Sequence, residues 1–225
     1  MEERPVGHLD EKSILITSGP TRGLIDRVRF VSNRSSGRLG CAIAEAAAAE
    51  GAKVTFIRGE GSTAPGANAH VAKLLTVETV GDLAEVLEDL RGERFDVVVH
   101  AMAVLDYEPE AFLGEKVRSG MEEWVVRLRP TPKIIAKVRE YWPSAVLVGF
   151  KLEAGASDEE LEKRGSDFMG QAACDVVVAN DLDAVGGDRH RACIIYRGGE
   201  VKRWEQSKGT VAAALVEVLG ELLAD

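Results

Sequence analysis

The chain has 225 residues, of which 45% are apolar, and its formal net charge is −9. This length and apolar content allow one sizeable core, so we expect a single domain over residues 1–225. The acidic balance argues against a nucleic-acid-binding protein, because contacts to phosphates need a basic surface. The sequence shows no run of 18 apolar residues and no signal peptide, so we expect no membrane span and a cytoplasmic location.

The three cysteines give no sign of a metal site or a redox pair. Cys41, Cys174 and Cys193 are widely spaced and form no CxxC motif. Scattered cysteines of odd number are typical of buried thiols. We therefore expect buried thiols and assign no residue as a metal ligand.

Short β-branched runs alternate with longer segments of helical period, which is typical of parallel α/β proteins. The predicted strands are residues 13–17, 54–57, 74–77, 96–100, 145–150 and 175–179. The predicted helices are residues 37–50, 80–90, 132–141, 158–173 and 210–223. The sequence therefore predicts a three-layer, Rossmann-like, mostly parallel sheet with helices on both faces.

Two segments break the alternation of strands and helices. Residues 115–129 hold two polar-alternating stretches around Ser119-Gly120, which predict a hairpin inside a flap of about residues 107–130. Residues 191–205 hold two short strand patterns around Gly198-Gly199, which predict an antiparallel C-terminal hairpin.

The connection between the first strand and the first helix is long and basic. It contains neither GxGxxG nor a P-loop, so it lacks the specific signals of ordinary dinucleotide and P-loop nucleotide sites. Between Gly19 and Gly40 it carries one acid, Asp26, and five arginines: Arg22, Arg27, Arg29, Arg34 and Arg38. A basic loop at the carboxyl edge of the sheet of an acidic protein predicts a small anionic ligand.

This loop reads TSGPTRGLIDRVRFVSNRSSGRLG, and further motifs follow it in order along the chain. They are AMAVLDY at 101–107, EKVRS at 115–119, RPTPKII at 129–135, VGFKLE at 148–153 and VVANDL at 177–182. With these motifs in this order, nearly the whole chain resembles the phosphopantothenate-cysteine ligases. SNRSSG is the motif most specific for that family. The chain resembles the free-standing type, because it has no room for the flavin-dependent decarboxylase domain to which many bacterial ligases are fused.

The resemblance implies a ligase of coenzyme A synthesis that uses CTP or ATP as co-substrate. The 4'-phosphopantothenate carboxylate would attack the α-phosphate of the nucleotide and release pyrophosphate. The amine of L-cysteine would then displace the nucleotide from the acyl intermediate. Mg²⁺ is expected with the nucleotide, and a homodimer is implied in which the flap crosses to the partner.

The resemblance also implies roles for individual residues. Asn33 matches an asparagine that holds the pantothenoyl carbonyl, and Lys116 matches a flap lysine that reaches the reacting phosphate. The substrate candidates are Arg22, Arg34, Ser36 and Gly37 for the substrate phosphate, and more weakly Asn180 and Asp181. The nucleotide candidates are Gly19, Thr21, Ala101, Met102, Asp106, Thr131, Pro132 and Phe150.

Purely structural roles remain open for several of these residues. Asn33 would suit a loop cap, and Lys116 a solvated surface position. Phe150 ends a predicted strand, where an aromatic side chain often belongs to the core. The Asn180-Asp181 pair would suit a turn that terminates a strand.

The chain departs from the family's pattern in the helix before VVANDL. The family usually carries two lysines four residues apart there, where this chain has Phe168 and Ala172. Lys163, Arg164, Mg²⁺ or the flap would then have to hold the triphosphate, and a lysine at position 172 is expected to tighten nucleotide binding. Pro20 and Gly23-Leu24 also replace residues usual in the first loop.

Two other functions stay open on the sequence alone. A Rossmann-like nucleotide- or flavin-binding module could have kept the loop and lost the ligase reaction. An NADP-dependent reductase could use Arg58 for a 2'-phosphate, but the missing GxGxxG argues against it.

Overall fold

The computed structural model describes residues 9–196 and 201–224, with the backbone alone at 201–206. The strands are β1 (Ser13–Ser18), β2 (Arg22–Leu24), β3 (Phe30–Ser32), β4 (Lys53–Gly59), β5 (Lys73–Val77), β6 (Val97–His100), β7 (Tyr107–Pro109), β8 (Leu128–Pro130), β9 (Val146–Glu153), β10 (Val176–Gly186), β11 (Arg189–Tyr196) and β12 (Val201–Ser207). The helices are α1 (Arg38–Ala49), α2 (Val80–Leu90), α3 (Ile134–Tyr141), α4 (Asp158–Ala172) and α5 (Lys208–Ala224).

The central sheet has eight strands in the order β12-β11-β10-β9-β6-β1-β4-β5. The strands from β10 to β5 in this order pair in parallel, and β11 and β12 add an antiparallel edge. From β1 the chain first builds outward through β4 and β5, and then returns to place β6 on the other side of β1. The strand order therefore reverses between β1 and β6, which is where sheets of this type bind ligands.

The strands alternate between two apolar layers. Ile14 and Ile16 pack with α1 and α5 on one face, whereas Leu15 packs with α2 and α3 on the other. Both sets of side chains are fully buried, as expected for parallel strands covered on both faces. The predicted three-layer fold is confirmed.

The flap has different strands from those predicted. The predicted flap hairpin is confirmed by the antiparallel pairing of β7 with β8 at its two ends, but its strands do not lie beside Ser119-Gly120, since residues 110–127 contain no strand. The register joins Tyr107 to Pro130 and Pro109 to Leu128. Polar alternation alone did not locate the ladder, because a strand also needs a partner beside it.

The other predicted hairpin is confirmed by the antiparallel pairing of β11 with β12, although its turn at Gly198-Gly199 lies outside the described residues. The predicted end of β10 is wrong. This strand continues past Ala179 through Asn180 and Asp181, because β9 and β11 still offer ladder partners there. The pairing with β11 shifts register between Asn180 and Val185.

The three cysteines are buried free thiols, as predicted. Burial raises the pKa of Cys41 and Cys193 to about 11 and that of Cys174 to about 12. Among the helices in the described part of the chain, none is long and apolar enough to cross a membrane.

Candidate functional site

Two loops meet at the carboxyl edge of the sheet, where the strand order reverses. The Ala103 amide donates to the Gly19 carbonyl (2.8 Å), and the Thr21 amide donates back to the Ala103 carbonyl (3.4 Å). The Thr21 hydroxyl accepts from the Leu105 amide at 3.0 Å. Thr21 is fully buried, and its side chain therefore joins the two loops beneath their surface.

A buried histidine lies beneath this junction, at the end of β6. His100 Nδ1 is 2.8 Å from the hydroxyl of Thr17 on β1. Burial lowers the pKa of His100 to about 4, so the ring is neutral at physiological pH. The pair therefore forms an uncharged floor under the two loops.

Asn33 lies at the junction itself and remains exposed. It directly follows β3, which pairs with β2 to form a small hairpin that rises from the first loop. The Asn33 side-chain amide donates to the carbonyls of Val104 (3.1 Å) and Ala103 (3.4 Å). The side chain is thereby oriented between the two loops while solvent still reaches it.

The start of α1 forms the wall beside Asn33. Gly37 caps this helix with a φ of +76°, a conformation that strongly favours glycine. The Ser18 hydroxyl donates to the Gly37 carbonyl at 3.0 Å. Neighbouring Ser36 is exposed, and its carbonyl accepts from Thr63 at 3.0 Å. The first turn of α1 contains no acid, so its free N–H groups suit an anion.

The five arginines of the loop divide into two groups. Arg22 pairs with Glu78 at 3.0 Å and Arg29 pairs with Asp26 at 2.6 Å, so their charges are already partnered. The remaining three are exposed and have no ion pair within the described residues: Arg27, Arg34 and Arg38. Arg34 and Arg38 therefore place an excess of positive charge at the start of α1, and Arg27 lies at the tip of the β2–β3 hairpin.

Residues just before α3 form hydrogen bonds to the segment that follows β6. The Thr131 amide donates to the Asp106 carbonyl (3.0 Å), and its hydroxyl donates to the Leu105 carbonyl (2.5 Å). The exposed Asp106 carboxylate pairs with Lys133 at 2.6 Å. Met102 is buried, Ala101 is half-buried and Pro132 is exposed. This arrangement brings together five of the predicted nucleotide residues, and Lys133 joins them although the sequence reasoning missed it.

The other predicted site residues lie on the neighbouring strands. Phe150 and Ala101 are half-buried and pack against the same core cluster. Asn180 is buried in β10. The Asp181 carboxylate accepts from the amides of Ala156 and Asp183, and these bonds lower its pKa. Asp181 therefore orders the turn before α4, and its oxygens are already engaged.

The flap is held against the first loop by a residue that the sequence reasoning did not select. Lys116 is exposed in the flap, and the amide of the next residue, Val117, donates to the buried carboxylate of Asp26 at 3.1 Å. Burial alone would raise the pKa of Asp26, but the backbone amides of Val28, Val117 and Arg29 hold it at about 2. The sequence feature that could have identified Asp26 is that it is the single acid among the five arginines of the first loop.

The direction of α4 changes the interpretation of Phe168 and Ala172. The helix starts after β9 at the carboxyl edge and ends just before β10 at the opposite edge. Ala172 is 15 residues after the cap Ser157, or roughly 22 Å along the axis. A lysine at position 172 would therefore lie at the end of α4 that is remote from the carboxyl edge.

Basic residues instead lie near the carboxyl edge, on β9 and the first half of α4. The Lys151 ammonium is 3.2 Å from Glu153 and 6.0 Å from the centre of the Phe168 ring. Arg164 bonds to the same Glu153 and is half-exposed. Exposed Lys163 is 3.4 Å from Asp167. Within the residues that the structure describes, no group of three or more His, Cys, Asp or Glu side chains could hold a metal ion.

Comparisons with known proteins agree with the motifs. The model for the family described as DNA/pantothenate metabolism flavoprotein C-terminal domain matches residues 9–222. The coenzyme A biosynthesis bifunctional protein CoaBC of Thermococcus kodakarensis is 39% identical over 216 residues, which cover 96% of this chain and 52% of that protein. The chain thus spans about half the length of the curated relatives that it matches.

Solved structures share the fold over almost their full length. The C-terminal domain of a coenzyme A biosynthesis bifunctional protein CoaBC superposes with a TM-score of 0.79 at 30% identity, covering 97% of this chain and 99% of that chain. A DNA/pantothenate metabolism flavoprotein from Streptococcus pneumoniae superposes with a TM-score of 0.84 at 28% identity, covering 94% and 99%.

Proposed function

We propose that this chain, which belongs to the DNA/pantothenate metabolism flavoprotein C-terminal domain family, is a ligase that joins 4'-phosphopantothenate to L-cysteine. One observation carries the proposal: the basic first loop and the segment after β6 are hydrogen-bonded together where the strand order reverses. Asn33 lies where the two meet. A reaction between a phosphorylated acid and a nucleotide needs a site for each of them, side by side.

The proposed reaction has two steps. A carboxylate oxygen of 4'-phosphopantothenate attacks the α-phosphorus of CTP or ATP, and pyrophosphate leaves. The cysteine amine then attacks the acyl carbon, loses a proton and expels the nucleoside monophosphate, which keeps that carboxylate oxygen. Negative charge builds in both steps, so preorganised donors at the reacting centre lower the barriers.

Asn33 and Lys116 are proposed as the residues at the reacting centre. The bonds from Asn33 to the Ala103 and Val104 carbonyls orient its side chain toward the loop junction. Its amide would serve the developing oxyanion after a small rotation toward the acyl group. Lys116 is an exposed point charge on a segment without strands, which suits a cation that closes over the reacting phosphate.

The phosphate of 4'-phosphopantothenate is proposed to bind at the start of α1. Arg34 is free of ion pairs within the described residues, and Ser36 and Gly37 present the helix N-terminus. Arg22 is a weaker candidate, because Glu78 already partners its guanidinium. Asn180, which is buried on β10, is a weaker candidate for contact with the substrate.

The nucleotide is proposed to bind along the segment after β6. Ala101 and Met102 would offer backbone groups to the base, with Thr131 and Pro132 on one side and the half-buried Phe150 on the other. Asp106 would accept from a ribose hydroxyl, and Lys133, which now pairs with it at 2.6 Å, would turn toward a phosphate. Gly19 would permit close approach of the backbone, since its φ is +80°.

Arg164 and Lys151 are proposed to hold the β- and γ-phosphates, with Lys163 as an outer contact. All three belong to β9 or the first half of α4, and Glu153 holds Lys151 and Arg164 in one cluster. Mg²⁺ would arrive with the triphosphate, since Mg²⁺ is usually held by substrate phosphates, waters and one or two carboxylates.

A homodimer is proposed as the working form, in the cytoplasm. The β2–β3 hairpin and the flap expose large apolar side chains to solvent in the single chain: Val28, Phe30, Tyr107, Phe112, Leu113, Met121, Val125 and Leu128. Clusters of this kind suit an interface with a second copy of the chain. Sedimentation of the wild type and of Val125→Asp tests this: a dimer that the substitution dissociates supports the interface, and a monomeric wild type excludes it.

The activity is tested by pyrophosphate release from purified protein. The assay combines 4'-phosphopantothenate with CTP or ATP and Mg²⁺, with and without L-cysteine. Sustained release that needs both the acid and cysteine is the expected result. Nucleotide binding without any release would instead identify a binding module that has lost the ligase reaction.

A further inference from the structure

The middle of the flap is attached to the tip of the hairpin formed by β2 and β3. Asp26, which is 2% exposed, accepts hydrogen bonds from the amides of Val28 (2.8 Å), Arg29 (2.8 Å) and Val117 (3.1 Å). The guanidinium of Arg29 adds a fourth bond at 2.6 Å. An ionised carboxylate accepts about four hydrogen bonds, so Asp26 has no capacity left for a ligand.

Arg29 extends the same attachment to the rest of the flap. Its guanidinium donates to the Val117 carbonyl at 3.2 Å and stacks over the Trp124 ring at 5.1 Å. Both backbone groups of Val117 are thus bound by the Asp26–Arg29 pair. The Leu113 amide adds a bond to the Ile25 carbonyl at 2.8 Å. The β7–β8 ladder closes the base of the flap, and residues 110–127 contain no strand, so these contacts hold the middle of the flap against the hairpin.

The hairpin links this attachment to the reacting centre. Arg29 is followed by β3, and Asn33 comes four residues later, roughly 13 Å along an extended chain. Lys116 immediately precedes Val117. One rigid hairpin therefore carries Asn33 at its base and holds the neighbour of Lys116 at its tip.

We propose that Asp26 is a positioning residue, which fixes the middle of the flap so that Lys116 is held at a set place relative to Asn33. This inference rests on the proposed function, because it assigns Lys116 a task at the reacting phosphate. Asp26 does not touch substrate. It acts through Val117 and Arg29, and a displacement of about 1 Å at a reacting group can cost 100-fold in rate.

Asp26→Asn is the main test, because the substitution keeps size and one acceptor oxygen. The new amide group would face the donor of Val117, so the attachment breaks while the turn at Val28 keeps its acceptor. Asp175→Asn is the matched control. Asp175 is a half-buried carboxylate that binds Arg139 and the Leu147 amide at the opposite edge of the sheet, away from the flap.

The first readout does not depend on activity. Tryptic cleavage at Arg118 is expected to become about tenfold faster in Asp26→Asn, and to stay within twofold of wild type in Asp175→Asn. If Asp26→Asn does not fold, Val117→Pro removes the same donor from the flap and is expected to show the same acceleration. Unchanged cleavage in the folded variant would overturn the proposed attachment.

The second readout asks whether the attachment acts through Lys116. Asp26→Asn is expected to lower kcat for pyrophosphate release about 10 to 100-fold, with the KM for 4'-phosphopantothenate within about threefold. In a Lys116→Gln background the same substitution should cost less than threefold. The positioning role would be overturned if the kcat losses of Asp26→Asn and Lys116→Gln multiplied in full in the double variant. It would also be overturned if Asp26→Asn were cleaved faster but kept the kcat of wild type. Absence of any wild-type turnover would refute the proposed function, and the cleavage rates would still decide the attachment.

Discussion

The interpretation of α4 predicts which cation holds the triphosphate. Arg164→Gln should weaken the binding of CTP or ATP, because Arg164 lies in the first half of the helix, near the carboxyl edge. Ala172→Lys should leave binding unchanged, because position 172 lies roughly 22 Å from the start of the helix, beyond the Debye length of about 8 Å at physiological salt.

The size of the Arg164 effect follows from its surroundings. A hydrogen bond to a charged partner is worth about 1.5 to 3 kcal/mol. Arg164 is half-exposed and shares its charge with Glu153, so the lower end of that range applies. A loss of about 1.4 kcal/mol raises Kd about tenfold.

Titration calorimetry of CTP and ATP in the presence of Mg²⁺ measures this difference. Arg91→Gln is the matched control, since Arg91 also pairs with a glutamate but follows α2 at the opposite edge of the sheet. Its Kd should equal that of wild type. A tenfold gain from Ala172→Lys together with an unchanged Arg164→Gln would refute the assignment of the triphosphate to the carboxyl edge.

Four further predictions follow from the site. Asn33→Ala should lower kcat about 100 to 1000-fold with an unchanged melting temperature, since it removes one preorganised donor; steady-state kinetics and calorimetry check this. Lys116→Gln should lower kcat more than it raises the KM for 4'-phosphopantothenate, and the reverse pattern would make it a substrate anchor. Gly37→Ala forces alanine into a left-handed conformation at a cost of about 1 to 2 kcal/mol, so the melting temperature should fall about 2 to 8 °C. Because the folded pKa of His100, about 4, lies below its usual 6.5, its stabilising contribution is complete above pH 6.5 and is lost as pH falls toward 4. Denaturant unfolding at several pH values should therefore show a shallower pH dependence for His100→Gln than for wild type, and equal slopes would contradict the buried neutral ring.

The layered fold could be predicted because its signals are local. The β-branched run of β1 predicts a strand and the helical period of α2 predicts a helix, each from a few consecutive residues. The alternation of such segments implies a parallel sheet and places the basic loop at its carboxyl edge. The family was also predictable, since SNRSSG and the later motifs occur in order, and the match over residues 9–222 confirms it.

The connections inside the site could not be predicted, because they join residues far apart in sequence. Asp26 meets Val117 across 91 positions, and Asn33 meets Val104 across 71. No periodicity in the sequence records such pairs. The β2–β3 hairpin and the strands at the two ends of the flap were missed for the same reason, since a three-residue strand is recognisable only beside its partner.

The orientation of α4 shows where motif matching alone is insufficient. The positions counted back from VVANDL led to Phe168 and Ala172. Ala172 ends α4 at the edge of the sheet opposite the first loop, whereas the Phe168 ring lies beside Lys151. The structure directs attention to Arg164 and Lys151, which share Glu153. Helix direction, rather than residue type, decides which side chains can reach the site.

The most direct test of the account follows one oxygen atom. 4'-Phosphopantothenate labelled with ¹⁸O in its carboxylate is incubated with the wild-type protein, CTP or ATP, Mg²⁺ and L-cysteine. The masses of the products are then measured by mass spectrometry. The account predicts the amide of the acid with cysteine, unlabelled pyrophosphate, and one ¹⁸O in the nucleoside monophosphate. Label in inorganic phosphate, or a monophosphate without label beside the amide product, would contradict the acyl-nucleotide reaction.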